Sequence, residues 1–316
     1  SSQFGSSLKM ACLRCLASAG RPCTLLRRRT ATEAIAPGQV ARLAGSSRDV
    51  QDALLRAAAA GDAAGILGAM RSQAANLDAV AVATAVHRFA KVLRAQRRIH
   101  TPLCREGLLE LREPLLRSVG DFGPRAIANV MWALATARCE DENLLAAMSS
   151  RAVEQMTAMR GKHLSNVAWS LATLRSAPDD PALQPLSAEL ARRAADGALT
   201  PQSMANVLWS YATLRVEEAQ VFDVVGAAAA AAASSLNAQD MSNVLWAFAM
   251  HASFSPARAP LHAAVAASAR LRAASLPPQD LASIAWAFAE AEFRRSALLQ
   301  RLRSERPARS RTGKKK

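Results

Sequence analysis

Tryptophan, asparagine and threonine recur in this sequence at fixed offsets, and their chemistry is contact rather than bond making. An indole stacks, an amide both donates and accepts hydrogen bonds, and so does a hydroxyl. All five tryptophans, Trp132, Trp169, Trp209, Trp246 and Trp286, are separated by 37, 40, 37 and 40 residues. Three residues before them stand Asn129, Asn166, Asn206 and Asn243, with Ser283 in the last copy. Four residues after them stand Thr136, Thr173, Thr213, Met250 and Glu290, and three after is always alanine. Upstream, Leu77, Val82, Phe89 and Ala90 fall in the same register, with His87 in the tryptophan's place and Thr84 in the asparagine's.

Nothing else in the chain has the spacing of a reaction centre. The five histidines are isolated, and there is no nucleophile and base pairing, phosphate loop or carboxylate cluster to act with them. Cys12 and Cys15 form a CxxC, but Cys23, Cys104 and Cys139 supply no second pair, whereas structural zinc asks for four closely spaced ligands. The expectation is a chain with no catalytic residues, no metal and no cofactor.

A period of 37 to 40 residues belongs to stacked helical repeats, not to one globular core. The copies are IANVMWALATAR, LSNVAWSLATLR, MANVLWSYATLR, MSNVLWAFAMHA and LASIAWAFAEAE. At about 100° per residue, Leu164, Val167, Ala168, Leu171 and Leu174 gather on one side of a helix. Asn166, Ser170 and Thr173 gather on the other side, and Trp169 flanks them. Starts are written as Thr200-Pro201, Asn237-Ala238-Gln239-Asp240 and Pro277-Pro278, where a capping side chain or a proline suits a first turn. Breaks such as Ser176 to Asp180 and Ser253 to Pro256 precede a second, alanine- and leucine-rich helix. The fold expected is all-α, a right-handed α-solenoid of helix-turn-helix repeats.

Two readings stand for each recurring residue. The indoles are packing units between repeats or stacking platforms for bases, and their apolar surroundings favour packing. The asparagines bond the backbone of the next repeat as a ladder, or they read a ligand. The varied position at Thr136, Thr173, Thr213, Met250 and Glu290 is the one a recognition code would use, since a code requires variation.

Charge divides the chain. Residues 1–36 begin with six basic residues and no acid before Glu33, the composition of an organellar transit peptide or a disordered N-terminus. Residues 37–76 read as a linker and capping helices, broken at Gly61-Asp62, and 77–293 as the repeat array. Residues 294–316 are a basic, disordered tail with ten Lys or Arg against the single Glu305. The formal charge of +15 is carried entirely by the two ends. Within the neutral middle, Arg88 to Arg125 holds nine basic residues and four acids, including Arg94, Arg97 and Arg98, whereas 126–293 has 11 basic and 15 acidic residues. No apolar run reaches the roughly 20 residues of a membrane span.

The pattern L-x-P-Q-x-L-A-N-x-x-W-A-x-A-x-L, clearest in the segments ending at Trp209, Trp246 and Trp286, resembles the octotricopeptide repeat family of organellar RNA-binding proteins. It is also similar to the helical repeats of FAST-kinase-like proteins and of RNA-editing substrate-binding complex proteins. The resemblance covers roughly residues 77 to 293 and implies a non-catalytic binder of single-stranded organellar mRNA or rRNA. Such a protein acts in RNA processing, mRNA stability, rRNA maturation or translation, in the mitochondrial matrix or alternatively the plastid stroma, free or in a ribosome or ribonucleoprotein granule. The RNA-binding candidates are Asn129, Thr136, Asn166, Ser170, Thr173, Asn206, Ser210, Thr213, Asn243, Arg94, Arg97 and Arg98, with the five tryptophans as repeat staples. The alternative is a protein-binding α-solenoid scaffold within an organellar ribonucleoprotein complex.

Overall fold

The computed structural model describes residues 47–74, 77–176, 180–216, 218–250 and 257–290, and these are all-helical, with no strand among them. The presumed address segment, the basic tail and the breaks at 177–179 and 253–256 lie outside the described residues. In chain order the helices are α1 (Ser47–Ala59), α2 (Ala63–Ser72), α3 (Ala79–Ala95), α4 (Pro102–Ser118), α5 (Pro124–Thr136), α6 (Glu142–Gln155) and α7 (Gly161–Leu174). There follow α8 (Leu183–Ala195), α9 (Pro201–Leu214), α10 (Ala219–Ala231), α11 (Ala238–Met250), α12 (Arg258–Arg272) and α13, residues 278–290.

The recurring motif falls on α5, α7, α9, α11 and α13, and its worn copy on α3. These motif helices pack on one another in order, α3 on α5, α5 on α7, α7 on α9 and α9 on α11, and α1 packs on α3 ahead of them. The helices between them also make contacts in sequence, most extensively α8 with α10 and α10 with α12. The repeated alanine and the glycine at the start of α7 make the approach close. A Cβ on Gly161 would lie 2.5 Å from the Ala198 carbonyl oxygen, so no side chain fits there without moving backbone.

Short-range sequence explains the helix ends. Asp62, Asp78 and Asp141 each accept a hydrogen bond from the amide three residues on, closing α2, α3 and α6. Thr200 does the same for α9, with Pro201 at the first helical position. Before α11, Asn237 Oδ1 accepts from the Asp240 amide at 2.8 Å and Asp240 Oδ2 accepts from the Asn237 amide at 3.4 Å, a reciprocal capping box. Burial pushes the Asp240 carboxyl up, and the bond from Asn237 opposes the shift.

The apolar residues ten before each tryptophan sit in the turns that lead into these helices. Phe122, Met159 and Leu236 are fully buried and extended, each following a single 3-10 turn. Arginines of the intervening helix that follows each tryptophan helix reach back to fasten those turns: Arg151 donates to the Phe122 carbonyl, Arg193 to that of Thr157 and Arg272 to that of Leu236. Leu164, Val167 and Ala168 are fully buried, as the helical stripe requires, and Leu174 is only half-buried at the helix end.

Candidate nucleic-acid interface

Residues at minus seven, minus three, zero and plus four relative to the tryptophan run along one line of each helix, because these offsets are spaced by three or four residues. In α5 the line is Arg125, Asn129, Trp132 and Thr136, and in α7 Lys162, Asn166, Trp169 and Thr173. In α9 it is Gln202, Asn206, Trp209 and Thr213, and in α11 Gln239, Asn243, Trp246 and Met250. The first residue of each line is exposed, and the asparagine and tryptophan are partly exposed in every copy. The indoles of Trp132, Trp209, Trp246 and Trp286 therefore pack on the core with one part of the ring and face outward with the rest, and Trp169 is half-exposed like them.

Equivalent rings meet across helices. Trp209 and Trp246 lie 6.4 Å apart between centroids, tilted by 32°, and His87 meets Trp132 edge-on at 5.4 Å. That contact places the worn copy's histidine in the same row as the tryptophans. Arg94 Cζ stands 5.6 Å from the Trp132 ring centroid, a cation–π contact that holds the guanidinium at the ring face.

The row begins in a cationic field. Burial first, then Arg88, Lys91 and Arg125, push the His87 imidazole down to about 4. His163 is lowered by burial and then by Arg160, Arg125 and Lys162. Three tryptophan-type helices, α3, α5 and α7, thus direct positive charge at one region. Beside it, a cleft of about 540 Å³ between α1 and α3 is lined by Leu55, Ala58, Arg88, Lys91 and Gln96. Among the described residues no carboxylate pairs with Arg88, Lys91, Arg94, Arg125 or Lys162.

Several sequence-based candidates change standing. Ser170 and Ser210 are 0% exposed, and their hydroxyls donate to the Asn166 and Asn206 carbonyls at 2.7 and 2.6 Å. They are corrected from ligand contacts to buried helix-interior serines, because the neighbouring helix covers that side. Thr136 is 7% exposed and also faces inward, and Thr213 is turned back on the Trp209 carbonyl at 2.8 Å. Thr173 is half-buried, and its hydroxyl oxygen is covered.

The asparagine ladder is corrected as well. Among the described residues no stripe asparagine bonds the backbone of an adjacent helix, and Asn243 Oδ1 accepts from Gln239 Nε2 within its own helix at 2.9 Å. Asn129, Asn166 and Asn206 stay at the surface. Arg97 and Arg98 are exposed in the turn after α3. Sequence reasoning passed over Arg125 and Lys162 as site residues, although both stand seven before a tryptophan and that offset alone would have marked them.

Among the described residues no three His, Cys, Asp or Glu side chains gather as metal ligands, and no helix is long and apolar enough to cross a membrane. Comparison with models of known protein families finds no match, and neither does a search of curated proteins.

Proposed function

We propose that this chain is a non-catalytic binder of single-stranded RNA, built as a right-handed α-solenoid whose tryptophan helices form the inner layer. One observation carries the reading: half-exposed rings at equivalent positions of successive packed helices, His87, Trp132, Trp169, Trp209 and Trp246, are flanked by partly exposed amides and begin beside cations that, among the described residues, no carboxylate pairs with. Half-exposed indoles suit base stacking, which is sequence-tolerant, while Asn129, Asn166, Asn206 and Asn243 offer donor and acceptor pairs to base edges. Arg88, Lys91, Arg94, Arg125 and Lys162 supply the charge that holds phosphates.

The acid-free, arginine-rich first 32 residues support an organellar setting, the mitochondrial matrix before the plastid stroma. There the protein acts on mRNA or rRNA, alone or within a ribonucleoprotein assembly, as the resemblance to octotricopeptide and FAST-kinase-like repeats implies. Filter binding of the full chain to single-stranded RNA at moderate salt tests this, and absence of measurable affinity for any organellar transcript defeats it.

A scaffold role is the second reading, favoured by the acidic balance of residues 126–293, with 11 basic against 15 acidic residues. Pulldown from organelle extract with and without nuclease separates the two, since partners bridged by RNA are lost on digestion.

A further inference from the structure

The same turn ends four of the tryptophan-row helices, and each time it is made by the wrong residue for its backbone. After α3, α5, α7 and α9 the chain passes through the left-handed region at Arg97, Arg138, Arg175 and Arg215, with φ of 55°, 53°, 58° and 57°. These are all the non-glycine residues with positive φ among the described residues. In each, the arginine amide donates to a carbonyl three residues back and the next amide to one five back, as with Arg138 to Ala135 at 3.1 Å and Cys139 to Leu134 at 2.9 Å. This is the glycine-type helix terminator, in which a Cβ is strained.

Glycine makes the identical turn elsewhere in the molecule. Gly61 after α1 and Gly197 after α8 have φ of 70° and 67° and the same pair of bonds, to Ala58 and Ala57 and to Ala194 and Arg193. The fold therefore does not need arginine to make the turn. A cation near a helix C-terminus is favoured by the helix dipole, but it gains that interaction from the last helical turn, without positive φ. All four arginines are exposed, and among the described residues Arg97, Arg138 and Arg215 pair with no carboxylate.

We infer that Arg97, Arg138, Arg175 and Arg215 form a phosphate-binding row, one guanidinium per helix pair, that holds the sugar–phosphate backbone of a single-stranded RNA. The inference rests on the RNA reading above and deepens it: the rings and amides contact bases, and this row holds the strand along its edge. A planar guanidinium meets two phosphate oxygens at once, and a rigid αL turn fixes where its stem leaves the backbone. An acidic protein would also meet the charge, but the half-exposed rings carried by the helices that these turns end favour a nucleic acid.

The test uses the full chain, a fluorescent uridine 20-mer and a salt series, with Arg97→Gly, Arg138→Gly, Arg175→Gly and Arg215→Gly combined. Removing strain with charge, this variant melts at a higher temperature than the parent. Its slope of log affinity against log salt shrinks by about 0.7 per arginine, close to 3 in all. At 0.15 M salt its affinity falls on the order of a hundredfold. The corresponding Arg→Asn set, which tolerates the same φ, shows the same binding loss.

Parental binding with unchanged slope and affinity in both sets overturns the row and leaves the RNA reading standing. Failure of the glycine set to fold overturns it too, because the arginines are then structural. Loss of poly-glutamate binding with RNA binding intact reassigns the row to an acidic protein. No RNA binding by the parent chain defeats both proposals at once.

Discussion

The tryptophan helices and the helices between them are alike in length, but the former are more apolar, α10 apart, and the two sets carry charge differently. On and beside the intervening helices several charges neutralise one another locally, although among the described residues Arg105 and Arg117 of α4 and Arg270 of α12 pair with no carboxylate. Glu189 takes Arg192 and Arg193 at 2.7 Å, Arg151 holds Glu154 at 2.6 Å, and Arg112 pairs with Asp141, which lowers that carboxyl mainly through its cap bond to Leu144 and then through Arg112. Among the described residues the cations of the tryptophan helices, Arg88, Lys91, Arg94, Arg125 and Lys162, pair with no carboxylate and stand among half-exposed indoles and amides. A self-paired surface has little left for a partner, whereas an unpaired one keeps its full field. The difference is what supports the proposed RNA reading of the tryptophan helices.

The comparison breaks first at the core. Leu208→Ala, at a fully buried position on a tryptophan helix, is expected to lose about 3–5 kcal/mol of stability, while Leu271→Ala, 85% exposed on an intervening helix, stays within about 0.5 kcal/mol. Urea denaturation of both variants checks the pair. Comparable losses would mean that α12 is covered by something outside the described residues.

Trp209→Ala comes next. The ring is half-exposed, so the stability loss is smaller than for a buried aromatic, and RNA affinity falls by about 1–3 kcal/mol, measured by fluorescence anisotropy. Unchanged affinity would return the indoles to packing alone. Tyr211→Phe probes the opposite side of the same helix. Its buried hydroxyl lies 2.9 Å from Ser187 Oγ, and burial raises the phenol above its ordinary range, with the serine bond opposing. Removing that hydroxyl costs about 1–2 kcal/mol and leaves RNA affinity untouched.

His87 gives a pH test. Its folded-state value of about 4 lies below the ordinary 6.5, so the unfolded chain binds the proton more readily. Stability is full above pH 6.5, declines as the pH falls toward 4 and levels off beneath it; His87→Gln flattens that decline in thermal melts. Bound RNA screens Arg88, Lys91 and Arg125 and raises the His87 value, which proton NMR follows directly. The smallest effect is Asn206→Ala, within about 0.5 kcal/mol in stability because no described bond is lost, yet weaker in RNA affinity.

Much of this was legible without coordinates. The copies ending at Trp132 through Trp286 announce their helices through a 3.6-residue apolar rhythm, and Asp62, Asp78 and Thr200 announce their caps through a single side chain bonding a nearby amide. These are short-range effects, and short-range effects are written in consecutive residues. The surface of the site was not legible in the same way. Asn166 and Ser170 stand about 40° apart on one helix, and only the position of the neighbouring helix leaves the first in reach of solvent and seals the second.

Sequence alone therefore determined that the chain is helical, which residues repeat and which apolar stripe lies buried along each repeated helix. Tertiary structure decided which edge of the repeated stripe stays open, that His87 meets the Trp132 indole, that the cations of α3, α5 and α7 converge with no carboxylate partner among the described residues, and that arginines occupy left-handed turns. Those outcomes depend on helices tens of residues apart coming into contact and on a backbone angle at each turn. Composition and spacing constrain neither.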